Sequence, residues 1–202
     1  IKTLGGERKY VEPAKGTVNP RVFIDRLAKK MPANVTVVAD VGQNQIWTCT
    51  EYKFRKEGRL LTSGGMGTMG YSVPAAIGAK MADNSRATVA ICGDGAFQMS
   101  FMELATAVQF GVDIKVVVMT NNRLGMVREL QTNGYHDRQT AVFLDGSPDF
   151  IKLAEAYSIP AMRVYDDDTM EKGIEMLAEH KGICLVEVVV DKDLSLIHIS
   201  EP

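Results

Sequence analysis

Two short apolar runs, each followed directly by polar residues, constrain the fold of this sequence more than any other feature. The first run, residues 87–92, leads into a Gly-Asp-Gly turn that contains Asp94, and the second, residues 114–119, leads towards Asn121. The residues between the runs have helical character, so the pattern predicts two strands joined by a helix. If the strands are parallel neighbours, Asp94 and Asn121 reach the same edge of the sheet, where open α/β sheets bind ligands.

Apolar and amphipathic segments alternate along the rest of the chain. Short apolar runs predict four further strands, at residues 35–39, 59–62, 161–164 and 183–190. The other segments predict helices at residues 20–31, 47–54, 73–81, 100–110, 149–157 and 167–180, a helical turn at 125–130 and a polar loop at 132–148. This alternation predicts an α/β fold with a mostly parallel sheet and helices on both of its faces.

Two predicted helices begin with residues that are typical of helix N-termini. Asn19 precedes Pro20, and asparagine at the cap with proline at the first helical position is a common helix start. Ser100 stands three residues before Glu103, a spacing that fits a capping box. We therefore interpret Glu103 as a capping residue, and Glu129 as a solvated residue on a helix surface.

Composition argues against several classes of partner. The chain has 202 residues, 46% of them apolar and 24% charged, as is usual for a soluble globular protein. The net charge of −2 argues against nucleic acid, and no apolar run approaches the length needed to cross a membrane. Three separated cysteines without a CxxC pair fit a reducing compartment, so we expect a cytoplasmic protein.

Both ends of the sequence differ from its middle. The chain starts with Ile1 rather than Met, and residues 1–17 are polar without clear periodicity, so we expect a linker that follows a missing N-terminal part. Residues 191–202 follow the last predicted strand without an obvious structural role, and we expect a non-native tail there. The predicted domain therefore spans residues 18–190.

An acid and an amide at one sheet edge suit a hard cation. Mg²⁺ prefers oxygen ligands in octahedral geometry and is usually held by few protein groups together with phosphate oxygens. Gly93 and Gly95, on either side of Asp94, let the backbone approach a phosphate closely. The pattern predicts a site for a magnesium-bridged phosphate ester.

A glycine-rich loop supports a competing interpretation. Residues 65–70 read Gly-Met-Gly-Thr-Met-Gly, which satisfies GxGxxG, and a predicted helix follows. Asp94 ends the next predicted strand, near where a dinucleotide site places its ribose-binding acid. The motif alone is weak evidence and leaves Asn121 unexplained, so a non-catalytic dinucleotide-binding module is the alternative.

The Gly-Asp-Gly turn is followed by an Asn-Asn pair, and 27 residues separate Asp94 from Asn121. This pattern resembles the signature of proteins that bind thiamine diphosphate (ThDP). The flanking residues FQMSFMELATAVQFGVDIKVVVM and RLGMVREL resemble the acetolactate synthase large-subunit family, and the similarity covers about residues 18–190. The resemblance implies the C-terminal ThDP-binding domain of such an enzyme. The complete enzyme would decarboxylate pyruvate and join the two-carbon unit to pyruvate or 2-oxobutyrate, in branched-chain amino acid biosynthesis.

The resemblance also implies a set of metal ligands. The carboxylate of Asp94, the side chain of Asn121 and the backbone carbonyl of Arg123 would bind Mg²⁺. The shared Gly-Met pair that begins at Gly125 supports this register, and it leaves Asn122 as an extra residue of the turn.

A larger set of residues is expected at the cofactor. Met69 would bend ThDP into its V shape, while Gly95 and Ala96 would offer backbone N–H groups to the diphosphate. The full set that the resemblance implies is Val41, Gly42, Gln43, Asn44, Gly67, Met69, Asp94, Gly95, Ala96, Asn121, Arg123, Leu124, Gly125, Met126 and Val127.

Two positions depart from the family pattern. Asn44 replaces a histidine at the diphosphate, where its amide can still donate a hydrogen bond. Leu130 replaces a tryptophan at the substrate entrance, and it offers less surface and no indole plane. We predict a weak preference for 2-oxobutyrate over pyruvate and weak inhibition by sulfonylureas.

The resemblance places part of the active site outside this sequence. It implies that the glutamate that activates the ThDP pyrimidine ring comes from an N-terminal domain, usually of another subunit, so no catalytic residue is expected in this chain. It further implies a homodimer or tetramer and a small regulatory subunit. FAD is left open, because the family's FAD site lies mainly in a middle domain.

Two other reactions fit the same cofactor. The first is that of another ThDP-dependent 2-oxo-acid decarboxylase or carboligase, such as glyoxylate carboligase. The second is a two-subunit decarboxylase in which the diphosphate-binding domain is a separate chain.

Overall fold

Six strands form one parallel sheet in the computed structural model, which describes residues 12–195. The strands are β1 (Thr36–Ala39), β2 (Arg59–Thr62), β3 (Thr88–Gly93), β4 (Lys115–Thr120), β5 (Ala161–Val164) and β6 (Cys184–Val189). Their order across the sheet is β2-β1-β3-β4-β6-β5, and every neighbouring pair is parallel. The predicted strands and the predicted α/β fold are confirmed.

Helices connect the strands along the described chain. They are α1 (Pro20–Lys30), α2 (Gln43–Glu51), α3 (Ser72–Ala82), α4 (Asp94–Gln98), α5 (Leu104–Gln109), α6 (Gly125–Gly134), α7 (Phe150–Ala156) and α8 (Asp167–Glu179). The helix start at Asn19 is confirmed, because its side chain accepts the N–H of Arg21 at 2.9 Å. None of the helices in residues 12–195 has the length and apolar character that crossing a bilayer requires.

The capping box predicted at Ser100 is wrong. Residues Phe101–Glu103 form a 3-10 turn, and α5 begins only at Leu104. The backbone N–H of Ser100 is already bonded to the carbonyl of Phe97 at 3.1 Å, so it cannot be capped by Glu103. The Glu103 carboxylate instead accepts the hydroxyl of Thr106 at 3.1 Å.

Two helices also differ in extent from the prediction. α2 begins at Gln43, directly after the turn that follows β1, rather than at residue 47. α6 continues to Gly134 rather than ending near residue 130, so it takes the first residues of the predicted polar loop.

Helices pack on both faces because successive strand residues point to opposite sides of the sheet. In β3, Val89 and Ile91 belong to a core with α1, α2 and α8, while Ala90 and Cys92 belong to a second core with α3, α4, α5 and α7. β3 and β4 are thus covered on both faces, which explains why their sequences are continuous apolar runs.

The direction in which strands are added to the sheet reverses at β1. β2 lies on one side of β1, whereas β3 and the later strands lie on the other. In open α/β sheets such a reversal leaves a crevice between the loops at the carboxyl ends of the two neighbouring strands. The turn after β1 and the Gly-Asp-Gly turn after β3 therefore meet where ligands bind in this class of fold.

Candidate functional site

Asp94 joins the ends of the two central strands. Its side chain is 1% exposed, and its Oδ2 accepts the backbone N–H groups of Asn121 at 3.1 Å and Asn122 at 2.6 Å. Its Oδ1 accepts the N–H of Gly95 at 2.8 Å. The predicted meeting of Asp94 and Asn121 at one sheet edge is confirmed, because β3 and β4 are parallel neighbours.

The Asp94 carboxyl is unusual in its electrostatics. Burial raises its pKa to about 6, and the hydrogen bonds from the backbone N–H groups oppose that rise only in part. In the described part of the chain, no lysine or arginine forms an ion pair with it. A buried carboxylate without a cationic partner is a group that a bound cation stabilises.

The two asparagines after β4 have different surroundings. Asn121 is partly buried and lines the cavity described below, and its Oδ1 accepts the N–H of Arg123 at 3.0 Å. Asn122 is exposed, has a backbone φ of 54° and does not line the cavity. This backbone conformation is one that asparagine tolerates in turns, as expected for the extra residue of the pair.

A second buried acid organises the opposite wall. Asp40, which is fully buried at the end of β1, accepts the N–H groups of Val41 at 2.8 Å, Gly70 at 3.0 Å and Ser72 at 2.7 Å. These bonds tie the glycine-rich loop, and with it Met69, to the end of β1. Sequence reasoning missed this role, although an acid directly after a buried strand is the same signal that singled out Asp94.

A cavity of about 240 Å³ lies between these walls. It is lined by Val41, Gly42, Gln43, Asn44, Trp47, Met69, Gly93, Asp94, Gly95, Ala96, Met119, Asn121, Arg123, Leu124, Gly125, Met126, Val127 and Val190. Every residue predicted at the cofactor is among them except Gly67, which lies in the turn after β2 with a φ of 63°. Leu130 is 61% exposed and lies outside the lining.

The side chain of Asn44 is used differently from the prediction. Its amide nitrogen donates to the carbonyls of Asp40 at 2.9 Å and Ile91 at 3.2 Å, so it joins the ends of β1 and β3. Because the amide hydrogens are taken by these carbonyls, Asn44 holds the crevice together and leaves only its oxygen to accept a hydrogen bond.

The interpretation of Glu129 as a solvated surface residue is wrong. Glu129 is 8% exposed, and its carboxylate accepts hydrogen bonds from residues that are distant in the sequence. Its Oε2 accepts the side-chain amide of Gln43 at 3.2 Å, and the oxygen of that amide accepts the Nδ2 of Asn121 at 3.3 Å.

The first residues of the predicted tail also contact this region, although no structural role was expected for them. The carbonyl of Leu194 accepts Gln43 Nε2 at 3.1 Å, and the Ser195 hydroxyl donates to Glu129. The remaining tail residues, from 196 onwards, lie outside the described part of the chain.

The loop after α6 folds back beside the cavity. Its backbone bonds to the turn after β4, with Leu124 N–H donating to Val142 O and Leu144 N–H donating to Asn122 O, both at 2.9 Å. The Arg123 guanidinium lies 4.6 Å from the ring centre of Phe143. This loop therefore holds the Arg123 backbone in place beside Asn121.

The topology does not fit the competing dinucleotide motif. The glycine-rich loop follows β2 at the edge of the sheet, whereas Asp94 follows β3, and β1 lies between those two strands. In dinucleotide sites the glycine-rich turn lies at the reversal of strand order. Here that reversal carries the Gly-Asp-Gly turn and Asp40.

Comparison with known proteins agrees with the geometry. Residues 40–188 match the family model described as thiamine pyrophosphate enzyme, C-terminal TPP binding domain. The chain belongs to this family. Thiamine pyrophosphate is another name for ThDP, so the family is described by the cofactor that the sequence resemblance implied. The match begins at Asp40 and includes both Asp94 and Asn121.

Three relatives of this chain are named as acetolactate synthases or their subunits. The chain is 38% identical over 181 residues to the acetolactate synthase large subunit of Lactococcus lactis, with 90% of this chain and 31% of that protein covered. It is 39% identical over 191 residues to the probable acetolactate synthase large subunit of Methanocaldococcus jannaschii, with 95% and 32% covered. It is 36% identical over 192 residues to the mitochondrial acetolactate synthase catalytic subunit of Saccharomyces cerevisiae, with 93% and 28% covered. The chain spans about a third of these relatives or less.

Proposed function

We propose that this chain is the part of an acetolactate synthase that holds the diphosphate and the Mg²⁺ of ThDP. The observation that carries the proposal is the pairing of Asp94 and Asn121 at the edge of the central strands, within a cavity at the reversal of strand order. A carboxylate and an amide oxygen, completed by phosphate oxygens and water, are suitable ligands for Mg²⁺.

Different residues of this chain would bind the metal and contact the cofactor. Asp94, Asn121 and the carbonyl of Arg123 would hold Mg²⁺, and a cation there would offset the cost of burying the Asp94 charge. Met69, held beside the cavity by the bonds from its loop to Asp40, would press on the cofactor. When bound, ThDP supplies the electron sink for decarboxylation of the 2-oxo acid, while the protein orients it.

The group that activates the pyrimidine ring would come from elsewhere. No glutamate is among the residues that line the cavity in the described chain. The proposal therefore places the activating glutamate in an N-terminal domain of another subunit, within a cytoplasmic homodimer or tetramer. A small regulatory subunit and a bound FAD are further proposals for the complete enzyme.

The substrates of the complete enzyme follow from the same family. We propose pyruvate as the donor and either pyruvate or 2-oxobutyrate as the acceptor, with the product used in branched-chain amino acid biosynthesis. Leu130, which is 61% exposed on α6 near the cavity, would give little preference for 2-oxobutyrate. This departure keeps another ThDP-dependent carboligase, such as one acting on glyoxylate, as the second candidate.

The sole tryptophan of the sequence provides a direct assay of binding. Trp47 lines the cavity and is 2% exposed, so a ligand in the cavity should change its fluorescence. Titration with ThDP and Mg²⁺ should give a saturating change that Asp94→Ala abolishes, and titration with NAD should give none. A saturating response to NAD, or a ThDP–Mg²⁺ response that survives Asp94→Ala, would contradict the proposal.

A further inference from the structure

We propose that Glu129 is a positioning residue for the metal site: acting through Gln43, it sets which atom of the Asn121 side chain is offered to the cation. The inference rests on the proposed function, since it assigns a role towards Mg²⁺ to a residue that does not line the cavity. It concerns how the ligand is oriented, and Glu129 itself would touch neither the metal nor the cofactor.

Three side chains form a continuous hydrogen-bonded chain from α6 to the end of β4. Glu129 Oε2 accepts Gln43 Nε2 at 3.2 Å, and Gln43 Oε1 accepts Asn121 Nδ2 at 3.3 Å. Gln43 is 4% exposed and Glu129 is 8% exposed, so water does not compete readily for these contacts. Buried hydrogen bonds of this kind restrict the orientation of the groups that make them.

The polarity of the chain has only one consistent direction. An ionised carboxylate can only accept, so the amide of Gln43 must turn its nitrogen towards Glu129 and its oxygen towards Asn121. Asn121 must then present its nitrogen to Gln43, in the same orientation in which its Oδ1 accepts the N–H of Arg123 at 3.0 Å, and this oxygen keeps one lone pair for the cation. If Asn121 turned over, its NH₂ group would occupy the ligand position, and Mg²⁺ is bound by oxygen rather than by an amide nitrogen.

The backbone beside Gln43 supports the same arrangement. A Cβ added to Gly125 would lie 2.0 Å from Gln43 Oε1 and 2.6 Å from its Cδ. Position 125 thus has room for the Gln43 amide only because it is glycine. Gly125→Ala would displace the amide that contacts Asn121 without removing any polar group.

Metal affinity measured with bound cofactor tests the inference. Mn²⁺, which is visible by electron paramagnetic resonance, would be titrated into the full chain at saturating ThDP. ThDP would be titrated separately in the presence of a chelator, by Trp47 fluorescence, so that its affinity is measured without the metal. Loss of an outer-shell partner typically weakens metal binding by about 10-fold to 100-fold. We expect Glu129→Leu and Gly125→Ala to weaken Mn²⁺ binding about tenfold, and Glu129→Leu, which lies outside the cavity lining, to weaken metal-free ThDP binding much less.

Conservative and compensating variants separate positioning from general damage. Glu129→Gln keeps an acceptor oxygen and should recover most of the affinity lost in Glu129→Leu. Gln43→Glu would place two carboxylates next to each other and should weaken Mn²⁺ binding strongly. Gln43→Glu combined with Glu129→Gln places one carboxylate between two side-chain amides and should recover the Mn²⁺ affinity. Glu175→Leu, on the exposed face of α8, is the matched control.

The outcomes distinguish this inference from the function on which it rests. If the parent chain binds ThDP with Mn²⁺ but Glu129→Leu and Gly125→Ala bind Mn²⁺ as tightly, the positioning role is wrong. The same holds if the double exchange binds no better than Gln43→Glu, or if Glu129→Leu lowers both affinities and the unfolding temperature together. If the parent chain binds neither ThDP nor Mn²⁺, the proposed function itself fails.

Discussion

The raised pKa of Asp94 predicts that the ligand-free protein loses stability as the pH rises. The pKa of its carboxyl is about 6 in the folded chain, against an ordinary value of 3.8, because burial disfavours the charged form. Between these values the folded state binds the proton more tightly than the unfolded state, so the free energy of unfolding falls with rising pH. At about 1.4 kcal/mol per pH unit, the loss attributable to Asp94 is about 3 kcal/mol, and it is complete near pH 7.

Comparison with Asp94→Asn isolates this contribution. Asparagine stays neutral but leaves at least one of the bonded N–H groups without an acceptor, which costs about 1–3 kcal/mol at every pH. The pH-independent cost cancels when the free-energy difference between parent and variant at pH 7 is compared with that at pH 4. We expect the parent to lose about 2.4 kcal/mol relative to Asp94→Asn over this interval, because the rest of the change lies below pH 4.

Urea unfolding in the presence of a chelator, followed by far-UV circular dichroism, would measure this change. Asp168→Asn, at an exposed position of α8, is the control and should run parallel to the parent. A free-energy difference between parent and Asp94→Asn that stays constant from pH 4 to pH 7 would show that burial does not raise the pKa of the Asp94 carboxyl in the folded chain. Saturating ThDP and Mg²⁺ should remove the pH-dependent loss, since a bound cation stabilises the ionised carboxylate.

Three further predictions follow from the site. Asp40→Ala should lower the free energy of unfolding, measured in urea titrations, by at least about 3 kcal/mol, because three backbone N–H groups lose their acceptor. A loss no larger than that of the exposed Asp168→Ala would show that the glycine-rich loop does not depend on Asp40. Asn121→Ala should abolish ThDP-dependent Mn²⁺ binding, while Asn122→Gly should leave it unchanged. The reverse pattern would show that the side chain of Asn122, rather than that of Asn121, binds the metal. In competition assays on the complete enzyme, Leu130→Trp should raise the ratio of product formed from 2-oxobutyrate to product formed from pyruvate. An unchanged ratio would show that position 130 does not determine the choice of acceptor.

The order of elements and the position of the site were predictable because both depend on local patterns. Each strand is an apolar run bounded by polar residues, and the alternation with helices leaves few arrangements other than a parallel sheet. Once the strands are parallel, the residue that follows each one must lie at the same edge. The contact between Asp94 and Asn121 follows from this rule.

The parts that were not predictable depend on contacts between distant segments. Glu129 resembles a surface residue of α6 in the sequence, but in the fold it is buried beside Gln43 and Ser195, which are 86 and 66 residues away along the chain. Likewise, Asn44 could be read as a phosphate donor until β1 and β3 were brought together, which places two strand-end carbonyls within reach of its amide. Neither half of the capping box at Ser100 forms, because the N–H of Glu103 bonds to the Ser100 backbone carbonyl and the N–H of Ser100 bonds to the carbonyl of Phe97.

A crystal structure of the chain with ThDP and Mg²⁺ would show whether the cavity holds the cofactor and which side chains bind the metal. We expect electron density for the diphosphate in the cavity at the reversal of strand order. Mg²⁺ should lie about 2.0–2.1 Å from a carboxylate oxygen of Asp94, from Asn121 Oδ1 and from the carbonyl oxygen of Arg123. Density for the cofactor elsewhere, or a metal bound by Asn122 in place of Asn121, would contradict this expectation.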